Sequence, residues 1–227
     1  MAAGVGSRIS KYINVPKATL PVNSETIITH AIKLLNKNGV DVAVVTGYMS
    51  DYVEDVLRDY NVTIYKNPFY KVTNSVASLW MAREFIKNDE DLLLMNADVY
   101  WNQDSLDHLL KSQEPITMLG DDSRLQKGDF FFKLKNNYVV DYGKTLPIHS
   151  RSIEYIGLAK IDSSIVDLFV SRLDKHIMDE KYDDWWENVL YSYLEVSPIK
   201  VINVNGCFWA EADYIEDYQF LINNTQV

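Results

Sequence analysis

Met1-Ala2-Ala3-Gly4-Val5-Gly6-Ser7-Arg8, followed after a short spacer by Pro16-Lys17, is the stretch that decides how the rest of the chain is read. Two glycines flank one residue, a hydroxyl and a guanidinium follow at once, and a lysine returns behind a proline. Glycine lets the backbone turn sharply and present successive N–H groups to an anion. Arginine and lysine add charge and directed donors to the same anion. The pattern suits a polyphosphate. A structural turn followed by solvated charges is the plain alternative. A dinucleotide-binding turn is another, although it wants a third glycine and a preceding strand, and a P-loop wants a Gly-Lys-Ser/Thr triplet that is not here.

Downstream, strand and helix patterns alternate. Residues 24–38 read as a helix capped by Ser24, striped by Ile27, Ile28, Ala31, Ile32 and Leu35, and ended by Gly39. Residues 41–47 form an apolar run suited to a buried parallel strand. A helix from Ser50 to about Arg58, a short strand at 62–65, a helix at 73–86 and a core strand at 91–96 follow. This half predicts a doubly wound, mostly parallel α/β sheet with right-handed crossovers. The second half reads as antiparallel additions: strands at 116–119, 130–134, 138–142 and 153–161, then helices at 163–178 and 185–194. Strands near 201–204 and 207–212 and a terminal helix from about Tyr214 complete a single domain over residues 1–227. Ligands of α/β sheets lie beyond the carboxyl ends of strands, which is where Thr46-Gly47, Asp98 and Asp213 fall.

Composition narrows the partners. Twenty-two basic residues against thirty-two acidic ones give a net charge of −10, which argues against nucleic acid. No run approaches the ~18 apolar residues of a membrane span, and no signal-peptide pattern precedes the glycine turn. A single cysteine, Cys207, excludes an intramolecular disulfide and fits a reducing compartment. A cytoplasmic protein without membrane insertion is the expectation. Fifteen tyrosines and five tryptophans leave room for a homodimer interface.

The opening stretch resembles the signature of the sugar-phosphate nucleotidyltransferases, AAG-x-G-[ST]-R followed by PK. Asn67-Pro68-Phe69-Tyr70, Thr73-Asn74-Ser75 with Ser78-Leu79, Asn96-Ala97-Asp98, Glu154-Tyr155-Ile156-Gly157 and Glu211-Ala212-Asp213 extend the likeness in order, to about residue 220. It is best to the smaller members that activate phosphocholine, aminoethylphosphonate and related head groups with CTP. The resemblance implies a Rossmann-like nucleotidyltransferase fold and transfer of CMP from CTP to a small phosphorylated acceptor, with release of pyrophosphate. It further implies Mg²⁺ as cofactor and a product that serves decoration of surface polysaccharide or lipid head groups. Members carry an apolar strand before the AAG, whereas this sequence begins at Met1, so the sheet is expected to lack its first strand. A uridylyl- or guanylyltransferase acting on a sugar 1-phosphate is the alternative within the class. A non-catalytic nucleotide-binding relative and a dinucleotide-dependent oxidoreductase stand outside it.

By the same resemblance, Ala2, Ala3, Gly4, Gly6, Ser7 and Arg8 would surround the triphosphate. Lys17 would act at the α-phosphate and Arg8 on the leaving group. Thr46, Gly47, Asn74, Ser78 and Asn96 would complete the nucleotide site, and Lys144, Glu154, Gly157 and Glu211 would face the acceptor. Asp98 and Asp213 would hold the metal. Each closes an apolar strand, where a carboxylate is expensive to bury unless a cation or donors meet it; the plain alternative is a capping aspartate. Glu211 shares a strand face with Asp213. Asn74 and Ser78 share a helix face, although helix capping by Thr73 or Asn74 needs no ligand. Tyr100, Trp101, Tyr155, Trp185, Trp186 and Trp209 are candidates for an aromatic cage around a quaternary ammonium.

Overall fold

The computed structural model describes residues 1–6, 8, 9, 12–192 and 194–225. Ser7, and Tyr193 within the helix expected at 185–194, lie outside the described residues.

In chain order the elements are β1 (Pro21–Val22), β2 (Glu25–Thr26), α1 (Ile27–Lys37), β3 (Ala43–Thr46), α2 (Ser50–Leu57), β4 (Thr63–Lys66), α3 (Ser75–Met81), β5 (Leu92–Met95), β6 (Val99–Trp101) and α4 (Gln103–Lys111). There follow β7 (Ile116–Asp121), β8 (Phe131–Lys135), β9 (Tyr138–Gly143), β10 (Ile153–Ile161), α5 (Ser163–Met178), α6 (Glu187–Tyr191), β11 (Lys200–Asn203), β12 (Trp209–Glu211) and α7 (Ile215–Asn224). Thr26, not Ser24, caps α1. Its hydroxyl accepts the Thr29 N–H while the Thr29 hydroxyl accepts its own, satisfying two free donors at once.

The sheet departs from the expected mostly parallel order. Six strands run β5-β10-β7-β11-β9-β8. Among the described residues, only β7 and β11 pair in parallel within it; the other pairings are antiparallel. The cause is β10, nine buried residues inserted between β5 and β7 and antiparallel to both. Its antiparallel sense is the expected one, but burial on both faces carries no mark of the strands that flank it, so the pattern does not show that it enters the middle of the sheet rather than adding at an edge. The expected crossover survives in β3 and β4, a parallel pair joined through α2.

Among the described residues no hydrogen bond joins β3 to β5. Residues 1–2 lie at the carboxyl ends of both: the Ala2 N–H bonds the Val45 carbonyl at 2.9 Å and the Met1 amine reaches the Met95 carbonyl at 2.8 Å. Along the strands themselves, an apolar cavity of about 450 Å³ is lined by Ile28, Ile32, Val44, Leu79 and Leu94. The main core packs Phe169 and Leu173 of α5, Leu190 of α6 and the preceding Trp186 with Phe132, Ile153 and Ile161, and Leu79 and Leu94 join it to the cavity. No helix among the described residues is long and apolar enough to cross a membrane.

Candidate active site

The first residues, the carboxyl end of β5 and the end of β12 open onto one crevice of about 500 Å³. Ala2, Ala3, Gly4, Gly6 and Arg8 line it. Gly6 has φ +62°, and a Cβ there would stand 2.7 Å from Lys17 Cγ. Both the left-handed backbone and the lysine stem therefore require glycine, which makes the turn and Lys17 one unit.

Lys17 opens a short 3₁₀ turn behind Pro16, whose carbonyl accepts the Thr19 N–H and hydroxyl. Its ammonium bonds Asp98 Oδ2 at 3.1 Å and also Asp213. Arg8 donates to the second oxygen of Asp213 and lies over the Tyr214 ring. Asp98 follows β5, and Asp213 follows β12, which pairs with β6. The Ala212 N–H bonds the Asp98 carbonyl at 3.0 Å and fixes the two aspartates side by side.

Glu211, expected to face the acceptor, belongs with these aspartates. Oxygens of Asp98, Glu211 and Asp213 lie within 4.8 Å of one another. Burial, then repulsion from Asp98 and Asp213, holds the Glu211 carboxyl well above the usual carboxylate range. Burial also pushes Asp213 up, but Lys17 and Arg8 outweigh it and bring that carboxyl down. For Lys17, burial acts to lower the ammonium's pKa, and Asp98 with Asp213 outweigh it and raise it. Three closely set hard oxygen donors, one buried against its neighbours' charge, fit a divalent cation such as Mg²⁺.

A second wall comes from the start of α3. Asn74 caps the helix by accepting the Ser75 N–H at 2.8 Å, while the Thr73 hydroxyl bonds the Phe69 carbonyl. Ser78 reaches the crevice nearly buried, its hydroxyl accepting from Asn67 at 3.0 Å. At the floor, Asn96 accepts from the Trp186 indole at 2.9 Å and donates to Glu187 at 3.4 Å. Glu187 is buried, and burial pushes its carboxyl up to about 7.

Residues 1–146 match the family model of the MobA-like NTP transferase domain. The chain belongs to this family. It is 27% identical to CTP:phosphoglutamine cytidylyltransferase of Campylobacter jejuni, over 98% of this chain and 97% of that protein. It is 24% identical to choline-phosphate cytidylyltransferase of Streptococcus pneumoniae, over 97% and 94%. The solved CTP:phosphocholine cytidylyltransferase from Streptococcus pneumoniae superposes with a TM-score of 0.78 at 22% identity, covering 99% of this chain and 96% of that one.

Within this NTP transferase, several expected site residues sit elsewhere. Thr46 is buried beside Ala2, its hydroxyl donating to the Tyr65 carbonyl at 3.3 Å, and Gly47 packs against the Ala3 carbonyl. Both lie behind the crevice wall because residues 2–3 run alongside the end of β3. Glu154 is also one layer back. Its Oε1 accepts the Asp129 N–H at 3.1 Å, and Asp129 and Phe130 line the crevice in its place.

Lys144 and Gly157 do line it. Lys144 bonds Asp129 at 2.5 Å and stands 4.8 Å above the Trp185 ring. Of the aromatic candidates, Tyr155 and Trp185 reach the crevice. Trp101 and Trp186 are core, Tyr100 stacks on His30 at 4.1 Å, and Trp209 donates to Asp121. Phe130 and Tyr191, which the sequence reading passes over, supply the wall instead, parallel at 5.8 Å. Their only advance signal is their closeness in sequence to other aromatics.

Proposed function

We propose that this NTP transferase is a cytidylyltransferase that moves CMP from CTP to a small phosphorylated acceptor and releases pyrophosphate. The observation that carries the reaction type is Lys17, held by the Gly6 turn and aimed between Asp98 and Asp213. The choice of CTP rests on the full-length likeness to two cytidylyltransferases. The phosphorylated acceptor likewise follows the phosphoglutamine and choline-phosphate of those relatives' names.

A phosphate monoester is already largely ionised near neutral pH, so its oxygen can attack the α-phosphorus without a dedicated base. Catalysis then rests on alignment and charge neutralisation. The N–H groups of residues 4–6 would hold the outer phosphates. Lys17 would leave its aspartates to neutralise charge gathering at the α-phosphorus, and Arg8 would bind the departing pyrophosphate. Mg²⁺ held by Asp98 and Asp213, with Glu211 beside them, would supply charge compensation to the phosphate oxygens. Asn74 and Ser78, which line the crevice at the start of α3, would contact the nucleoside.

The test is pyrophosphate release in Mg²⁺, with each of the four NTPs paired against phosphorylated acceptors. Release with CTP and its loss on chelation are expected. Release with UTP or GTP in preference would overturn the donor, and release undiminished by a chelator would overturn the metal.

A further inference from the structure

Besides the Lys17 cluster, the crevice carries another ion pair: Lys144, just after β9, paired at 2.5 Å with Asp129, just before β8. The Lys144 ammonium stands 4.8 Å above the Trp185 ring, so the place where that indole would receive a cationic ligand is already taken by the chain. Phe130 and Tyr191 continue the wall beside it.

Asp129 is not on a free loop. Its N–H is held by Glu154 Oε1 at 3.1 Å, and Glu154 is only 4% exposed. The preceding Gly128 lies so close that a Cβ would stand 2.4 Å from the Glu154 carboxyl carbon. On its other side, Glu154 meets Arg124 Nε at 3.5 Å, and Arg124 rests 4.6 Å over the Trp209 ring. A buried carboxylate thus clamps the backbone that presents Asp129.

An ion pair placed in a substrate crevice discriminates by what it must exchange. An acceptor with no charge beyond its phosphate leaves the pair closed and draws nothing from it. An acceptor with an ammonium alone takes Asp129, displaces Lys144 from its carboxylate and sets two cations side by side, which is repulsive. An acceptor with both an ammonium and a carboxylate opens the pair and re-forms it twice, ammonium on Asp129 and carboxylate on Lys144. Only in the third case does the pair open with every charge matched again.

We infer that the Lys144–Asp129 pair selects the acceptor's head group, and that the acceptor is a phosphorylated zwitterion of the amino-acid type. This rests on the transferase reading above.

The test compares kcat/KM of the full chain with CTP and Mg²⁺ for O-phosphoserine, O-phosphohomoserine, phosphoethanolamine, phosphocholine and glucose 1-phosphate. One of the two phosphoamino acids is expected to exceed the other three acceptors by at least about tenfold, the scale of one ion pair in a partly shielded site. Lys144→Met is expected to erase that preference by raising the phosphoamino-acid KM, with the KM for CTP unmoved. Asp129→Asn is expected to raise KM for every ammonium-bearing acceptor. Phosphocholine, phosphoethanolamine or glucose 1-phosphate as the best acceptor overturns the inference and leaves cytidylyl transfer standing, as does a preference that Lys144→Met does not change. Pyrophosphate release with none of the five overturns the inference, and failure to bind CTP as well overturns the transferase reading.

Discussion

Two cavities among the described residues are of nearly equal size and opposite chemistry, about 500 Å³ in the charged crevice and about 450 Å³ in the apolar space between β3 and β5. They meet at Met1, Asn96 and Ala97, which line both. In the crevice, Asp98, Glu211, Asp213, Lys17 and Arg8 compensate one another across a few ångströms. In the apolar space, the strands contribute Val44 and Leu94 and the flanking helices Ile28, Ile32 and Leu79. β5 serves both: Leu94 faces the apolar space, and the carboxyl end hands over to Asn96, Ala97 and Asp98 in the crevice. Substitutions in the crevice should therefore act on turnover, and substitutions in the apolar space on stability.

The largest effect expected is at Lys17. Lys17→Ala should lower turnover by on the order of 10³, as removal of one preorganised charge-stabilising group does elsewhere. Its melting temperature in saturating Mg²⁺ should move by only a few degrees. A variant that loses its fold along with its activity would break the separation of the two regions.

Leu94→Ala should do the reverse. Leu94 is buried in the apolar space, and enlarging a cavity there should cost about 3 kcal/mol in urea unfolding while leaving KM for CTP unchanged.

Glu187 lies where the crevice meets the core, and it should break the rule in a defined way. Burial raises its carboxyl from 4.5 to about 7 in the folded protein. For a raised carboxyl, stability is complete below about pH 4.5 and is lost as pH rises through about 7. Glu187→Gln removes that loss. The variant should be more stable than the parent by up to about 3 kcal/mol at pH 8.5, with the gap narrowing steadily towards pH 5.5 in paired urea melts. A gap that is constant with pH would contradict the burial account.

The smallest effect is a gain. Ala31 lines the apolar space from α1, and Ala31→Leu adds side chain to it from a good helix-forming residue. An increase of about 1 kcal/mol without change in kcat is expected.

What could be read in the sequence follows the same division. β10 and α5 fall where their apolar runs place them, with Asp162 capping α5 through the Ser164 N–H. The glycine turn, Lys17, Asp98 and Asp213 meet in one crevice, and they were singled out because the ordered motifs resemble a known signature rather than by their residue types alone. The antiparallel sense of β10 was legible too, but its place between β5 and β7 was not, since burial on both faces carries no mark of which strands will flank it. β6 and α4 escaped notice because three strand residues and a helix with Leu106 and Leu109 as its buried leucines give too little period to see. Glu187 was hidden behind Trp185-Trp186, which drew the reading towards a cage. Thr46 and Glu154 have the polar side chains of site residues, and only packing shows that Thr46 supports Ala2 and Glu154 supports Asp129.

The most direct measurement is phosphorus NMR of the reaction with CTP, Mg²⁺ and a phosphorylated acceptor, comparing the parent chain with Asp98→Asn. One CDP-linked product and one pyrophosphate per CTP consumed, with turnover in Asp98→Asn lower by orders of magnitude and its fold retained, is the predicted result. CTP consumed to CDP and phosphate, or equal product from both chains, would contradict the assignment of this crevice to cytidylyl transfer.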